Sequence, residues 1–133
     1  VSVREIFDRS GAVVGWLDRE NVFDRASRSW VAFVREDVVF AIDGAALGIF
    51  RFGFFRDRRG GAVAFIRGAS RGPELPESLE IVAPPRMPSW LHDPRTLFRP
   101  PMPVGGTRWG LDWRTFLAGG REIADNLQPS KAA

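Results

Sequence analysis

Val14-Gly15-Trp16-Leu17, Val31-Ala32-Phe33-Val34, Leu47-Gly48-Ile49-Phe50 and Val63-Ala64-Phe65-Ile66 are four copies of one pattern. Each has a β-branched residue or Leu, then Gly or Ala, then two large apolar residues. The copies start at 14, 31, 47 and 63, so the steps are 17, 16 and 16 residues. A second apolar pair precedes each copy: Ile6-Phe7, Val22-Phe23, Val39-Phe40 and Phe54-Phe55. Self-similarity at a short constant period marks a repeat architecture.

Between the two apolar stretches of a unit lies turn chemistry. Asp8-Arg9-Ser10-Gly11 and Asp57-Arg58-Arg59-Gly60 place an Asp that can accept from its own backbone before a Gly that supplies positive φ. Asp43-Gly44 is a two-residue hairpin signal. The second unit, Asp24-Arg25-Ala26-Ser27-Arg28-Ser29, lacks the Gly and carries one extra residue, which accounts for the 17-residue step. The links between units are equally short: Asp18-Arg19-Glu20-Asn21, Arg35-Glu36-Asp37 and Arg51-Phe52-Gly53.

The expected fold is all-β: four consecutive β-hairpin repeats, about eight short antiparallel strands, around a pseudo-fourfold axis. A Pro-rich extended arm and a short C-terminal helix follow. The repeat core is Val14, Gly15, Val31, Ala32, Leu47, Gly48, Val63 and Ala64. Both faces of the second strands are apolar or small, so both should be covered. The recurring small residue suggests close backbone approach at the centre of a rosette. The rival geometry is an up-and-down eight-stranded barrel, whose outer face should be polar; these strands fit that expectation poorly.

Four segments follow: the hairpin domain over 1–70, a Pro-rich arm over 71–108, a helical segment over 109–127 and a disordered end over 128–133. Nine prolines fall between 73 and 103, which excludes long helices and central strands. Leu75, Leu79, Ile81, Val82, Trp90, Leu91, Leu97 and Phe98 are interleaved with them, so the arm should pack on the hairpins; a domain of about 65 residues is marginal alone. Asp112 can cap a helix whose Trp113, Phe116 and Leu117 share one face, with Gly119-Gly120 ending it and Arg121 to Leu127 forming a further turn or two.

The repeats over residues 4–67 and the terminal Trp109-Gly110-Leu111-Asp112-Trp113-Arg114-Thr115-Phe116-Leu117 together resemble the 4-fold β-flower proteins. The resemblance implies the four-hairpin architecture and carries no activity or catalytic motif. Two features depart from it. Arg56 stands where other units have Phe7, Phe23 or Phe40, which suggests an exposed or altered fourth hairpin, and the second turn lacks its Gly.

Chemistry is sparse. Cysteine is absent, which removes disulfides and thiolate nucleophiles. His92 is the only histidine and has no partners at metal-ligand spacing. Asp8, Asp24, Asp43 and Asp57 recur, but turn capping explains them better than a carboxylate ring. Glu36, Asp37, Glu77 and Glu80 show no glycosidase arrangement. Ser10, Ser27, Ser29 and Ser70 have no nucleophile elbow, and Gly60-Gly61 and Gly105-Gly106 form no phosphate loop.

The net charge is +3, and 18 of the 19 basic residues are Arg, Lys131 being the exception. One stretch is unbalanced: Arg56, Arg58, Arg59, Arg67 and Arg71 face only Asp57, a candidate anion-binding patch. Trp30 is the best candidate for an exposed aromatic.

The expected function is therefore a non-enzymatic interaction or scaffold module, with no catalytic residue, cofactor or metal. Its partner would be another protein or a second copy of the chain. The alternative is an Arg-dependent binder of anionic ligands; nucleic acid is less favoured. No apolar run reaches the roughly 18 residues of a membrane span, and the default location is cytoplasmic. Val1 is not a Met, which suggests that the numbering starts either after processing or at the edge of an expressed fragment.

Overall fold

A computed structural model describes residues 3–87, 97–103 and 105–119. Trp90, Leu91, His92, the helical continuation over 121–127 and the end over 128–133 lie outside the described residues.

Eight strands follow in order: β1 (Val3–Phe7), β2 (Val13–Asp18), β3 (Asn21–Asp24), β4 (Ser29–Arg35), β5 (Val38–Ala41), β6 (Ala46–Arg51), β7 (Phe54–Arg56) and β8 (Ala62–Phe65). Each pairs antiparallel with the next, and β8 returns to β1 through Phe65↔Phe7, closing a barrel. One helix, α1 (Trp113–Leu117), follows.

Every repeat carries the same irregularity. Ile6 pairs with Gly15 and Phe7 with Val13; Val22 with Ala32 and Phe23 with Trp30; Val39 with Gly48 and Phe40 with Ala46; Phe55 with Ala64 and Arg56 with Ala62. In each hairpin one residue of the second strand has no partner: Val14, Val31, Leu47 or Val63. A bulge of this kind bends a strand and increases its twist, which closure of a small barrel requires. The bulged residue and the small residue after it therefore both contribute to the interior. There Ile6, Val22, Val39, Phe55, Leu17 and Ile66 pack with Leu47, Val63, Ala32 and Ala64.

The four hairpins run around a pseudo-fourfold axis, but the small residues do not meet at its centre. A methyl group on Gly15 would overlap the carbonyl oxygen of Phe23, and one on Gly48 that of Arg56. The close approach is to the neighbouring strand, while larger side chains fill the axis. The outer face is apolar because it is also covered. Leu75, Leu79, Val82, Met87 and Trp109 pack over Phe7, Trp16, Phe23, Phe54 and Phe65. Leu97 and Met102 pack over Phe33, Val38 and Phe40. A polar exterior holds for a bare barrel, and this one is wrapped.

The turns follow the Asp-x-x-Gly chemistry. Asp8 N–H donates to Ala12 O and Gly11 N–H to Asp8 O, both at 2.9 Å, with Gly11 at φ +88°. The same backbone pair closes turns 41–45 and 57–61. The second turn has no Gly, and Arg28 takes a left-handed conformation there at φ +54°. The third turn shifts the frame: Ala41 occupies the position of Asp8 and Asp57, and Asp43 accepts only from Ala45 N–H, at 3.0 Å. Links 35–38 and 51–54 place both central residues at positive φ, namely Glu36 with Asp37 and Phe52 with Gly53, as type I′ turns require.

Helix α1 covers part of one end of the barrel. Asp112 caps it by accepting from Thr115 N–H at 2.8 Å, and hydrogen bonding from Thr115, its side chain first and then this N–H, holds the Asp112 carboxyl below its ordinary pKa. Trp113 and Phe116 enter the interior cluster, with Trp113 edge-on to Phe55 at 5.7 Å between ring centroids.

Candidate functional site

The candidate anion-binding arginines separate once their bonds are followed. Arg56 is only 2% exposed, so the altered fourth hairpin is buried, not exposed. It extends outward from β7 in the frame of Phe7, Phe23 and Phe40, beneath the arm. Its Nη1 donates to Gly60 O at 2.8 Å, its Nη2 to Arg71 O at 2.9 Å, and its guanidinium lies over the Phe54 ring. Burial pushes its pKa down, the nearby Arg108 adds to that, and Asp57 opposes it.

Arg58 donates through Nε and Nη2 to Ala46 O, the carbonyl of the first residue of β6. Arg25, two repeats earlier, does the same for Val13 O, the first residue of β2. Both cap a carbonyl that would otherwise lack a strand partner. Arg67 reaches Glu5 at 3.4 Å and lies over Phe7, and Arg71 lies over the exposed ring of Phe52. Of the five, Arg59 alone has a guanidinium without a hydrogen bond, ion pair or ring contact among the described residues. Single-letter charge could not show this. The legible signal was the repeat frame, which aligns Arg56 with outward Phe residues and Arg58 with Arg25.

The recurring carboxylates are cappers. Asp8 Oδ1 accepts from Ser10 N–H, Ser10 Oγ–H and Ala12 N–H. Asp57 Oδ1 accepts from Arg59 and Gly61 N–H, and its Oδ2 from Leu111 N–H at 2.9 Å. Asp24 accepts from Ser27 N–H and from the Trp113 indole N–H at 2.9 Å. Asp24 and Asp57 thus also anchor the segment carrying α1. Among the described residues no group of three or more His, Cys, Asp or Glu could hold a metal ion. Ser27 and Ser29 hydrogen-bond to each other at 2.8 Å, with no base beside them among the described residues.

A groove of about 1010 Å³ opens at the helix end of the barrel. Its apolar surface comes from Val14, Val31 and Ala41 together with Trp113 and Leu117 of α1; Arg28, Ile42 and Arg114 also line it. Its origin is a break in the fourfold symmetry. The bulge residues Leu47 and Val63 are each 3% exposed, while Val14 and Val31 are only partly buried. The helix covers two repeats of four. Trp30, half-buried, also lines the groove and donates from its indole to Ala32 O. Nothing in the sequence assigns α1 to one half of the mouth, so the groove was not foreseeable.

A closed eight-stranded antiparallel barrel of four bulged hairpins, followed by a wrapping arm and the short helix α1, defines a small all-β repeat protein. The chain matches the 4-fold beta flower protein family over residues 4–117 and belongs to it. That family is not a known enzyme family. No curated protein and no solved structure matches the chain. No helix among the described residues is long and apolar enough to cross a membrane.

Proposed function

We propose that the protein is a non-enzymatic binding module that accepts an apolar segment of a protein partner in the half-open mouth of its barrel. One observation carries this reading: the same bulge position is sealed by α1 in the third and fourth repeats and left partly open in the first and second. Completing the burial of such a valine is favourable by about 1 kcal/mol. The polar groups around the groove suit recognition better than reaction. Asp24 and Asp112 are already engaged by N–H donors, and the serines pair with each other. A second copy of the chain is one partner of the right chemistry. An Arg-dependent function spread over residues 56–71 has less support, because Arg56 and Arg58 hold carbonyl groups of the fold.

Selection of peptides from a random library on the purified protein tests this. Enriched peptides should carry apolar anchors and quench Trp113 and Trp30 fluorescence. Val31→Glu should weaken them at least tenfold, about 1.4 kcal/mol. Ile81→Glu, which alters an exposed apolar residue outside the groove lining, should leave them unchanged. Binding that survives Val31→Glu, or falls equally with Ile81→Glu, would overturn the reading. Light scattering of wild type and Val31→Glu shows whether the partner is a second copy.

A further inference from the structure

Turn 57–61 lies at a different place on the barrel from the groove, and its charge is not balanced. Here the barrel uses a different device from the other repeats. Ala62, the first residue of β8, donates to Arg108 O at 3.0 Å and accepts from Gly110 N–H at 2.8 Å, so the backbone of 108–110 runs alongside it as a short parallel strand. This brings Arg108 onto the turn, where its Nη2 donates to Arg59 O at 2.8 Å. Arg9, in the frame of Arg25 and Arg58, has no carbonyl to cap because Gly110 occupies it, and lies 5.7 Å from the Trp109 ring centroid instead.

The turn therefore gathers Arg59 and Arg108 on the surface with buried Arg56 behind them. The carboxylate among them, Asp57, is buried and accepts three backbone N–H groups through its two oxygens. It offers no ion pair to either exposed guanidinium. We infer that turn 57–61 and residues 108–110 form a binding site for a compact polyanion of the polyphosphate class, held between the guanidiniums of Arg59 and Arg108. The backbone N–H groups of Arg59, Gly60 and Gly61 are turned onto Asp57, so the guanidiniums supply the donors. Guanidinium forks match phosphate oxygens in geometry and charge. Two cations with no carboxylate partner among the described residues suit a small ligand. A nucleic-acid surface commonly neutralises about 6–10 phosphates, and Arg67 and Arg71 are engaged elsewhere.

Calorimetric titration with tripolyphosphate at about 20 mM salt tests the site. Wild type should bind, and Arg59→Gln and Arg108→Gln should each weaken binding roughly fivefold or more. Arg4→Gln, which removes an equal charge from an exposed position on β1, should change it less than about twofold. Raising salt to about 0.2 M should weaken wild-type binding steeply. If Arg108→Gln unfolds because it releases Arg59 O, Arg59→Gln carries the test alone, since its side chain holds no other group among the described residues. The proposal fails if tripolyphosphate does not bind at low salt, or if Arg4→Gln costs as much as Arg59→Gln. It also fails if a 20-nucleotide RNA binds about tenfold more tightly than tripolyphosphate, which would make the patch a nucleic-acid surface.

Discussion

At position 48 a single hydrogen decides whether β6 can sit against β7. A methyl group there would overlap Arg56 O and come within 2.9 Å of Phe116 Cε1, so both a strand backbone and the helix would have to move. Gly48→Ala should therefore destabilise the protein by roughly 2–3 kcal/mol, in the range of core overpacking. Urea unfolding would measure it, and a cost below about 0.5 kcal/mol would mean that the two strands separate easily. Arg28 is the opposite case. It holds φ +54° in the one hairpin turn without Gly, and its exposed side chain makes no hydrogen bond, ion pair or ring contact among the described residues. Arg28→Gly should remove about 1 kcal/mol of left-handed strain, less the entropy glycine gains in the unfolded chain. The expected net gain is a few tenths of a kcal/mol or more, read as a rise in melting temperature without loss of β-sheet circular dichroism.

The arm acts at the scale of elements, and its attachment is electrostatic as well as apolar. Glu80 accepts from Val13 N–H at 2.8 Å and from Arg25 Nη1 at 3.0 Å, while its own N–H donates to Gly11 O. The Val13 bond, with Arg25 assisting, holds the Glu80 carboxyl below its ordinary pKa against desolvation and the charge of Asp8. A carboxyl depressed in the folded state binds its proton more readily when unfolded. Its stabilising contribution is thus present above the ordinary glutamate pKa and is lost as pH falls through the depressed folded value. Asp112 at the start of α1 works in the same direction. Unfolding midpoints measured from neutral to acid pH should fall less steeply in Glu80→Gln than in wild type, with the two curves converging at the acid end. Parallel curves would show that Glu80 is solvated and does not strap the arm. The strap also bears on what the sequence could show. Proline spacing and interleaved Leu and Val were enough to expect apolar packing of residues 75–82, but the partner of Glu80 lies 67 positions away, beyond any local pattern.

For the whole molecule, repetition and its breakage had different visibility. The small residue flanked by apolar ones and the turn chemistry before it are local signals, so the hairpins and their fourfold recurrence could be read from residues 4–67. The choice between rosette and barrel turned on the outer face, and that face is apolar only because a later segment covers it. Arg56 sits where the symmetry breaks. In three repeats its position holds Phe, and in the fourth it joins β7 to the start of the arm at Arg71 O and to the turn at Gly60 O, against which Gly105 packs. A buried cation with no paired carboxylate is costly unless its donors are satisfied, and here carbonyls from two separate segments do so. Arg56→Met keeps apolar volume but leaves Gly60 O and Arg71 O without their donor, so it should cost about 1–3 kcal/mol. Its signature should be regional. Hydrogen exchange should accelerate at residues 59–61, 71–75 and 105–110, where Arg56 joins the layers, and stay unchanged in the hairpin turn at 24–29 across the barrel. A uniform acceleration would mean that Arg56 stabilises the barrel as a whole, and no acceleration would mean that the apolar contacts of the arm hold it without this polar joint.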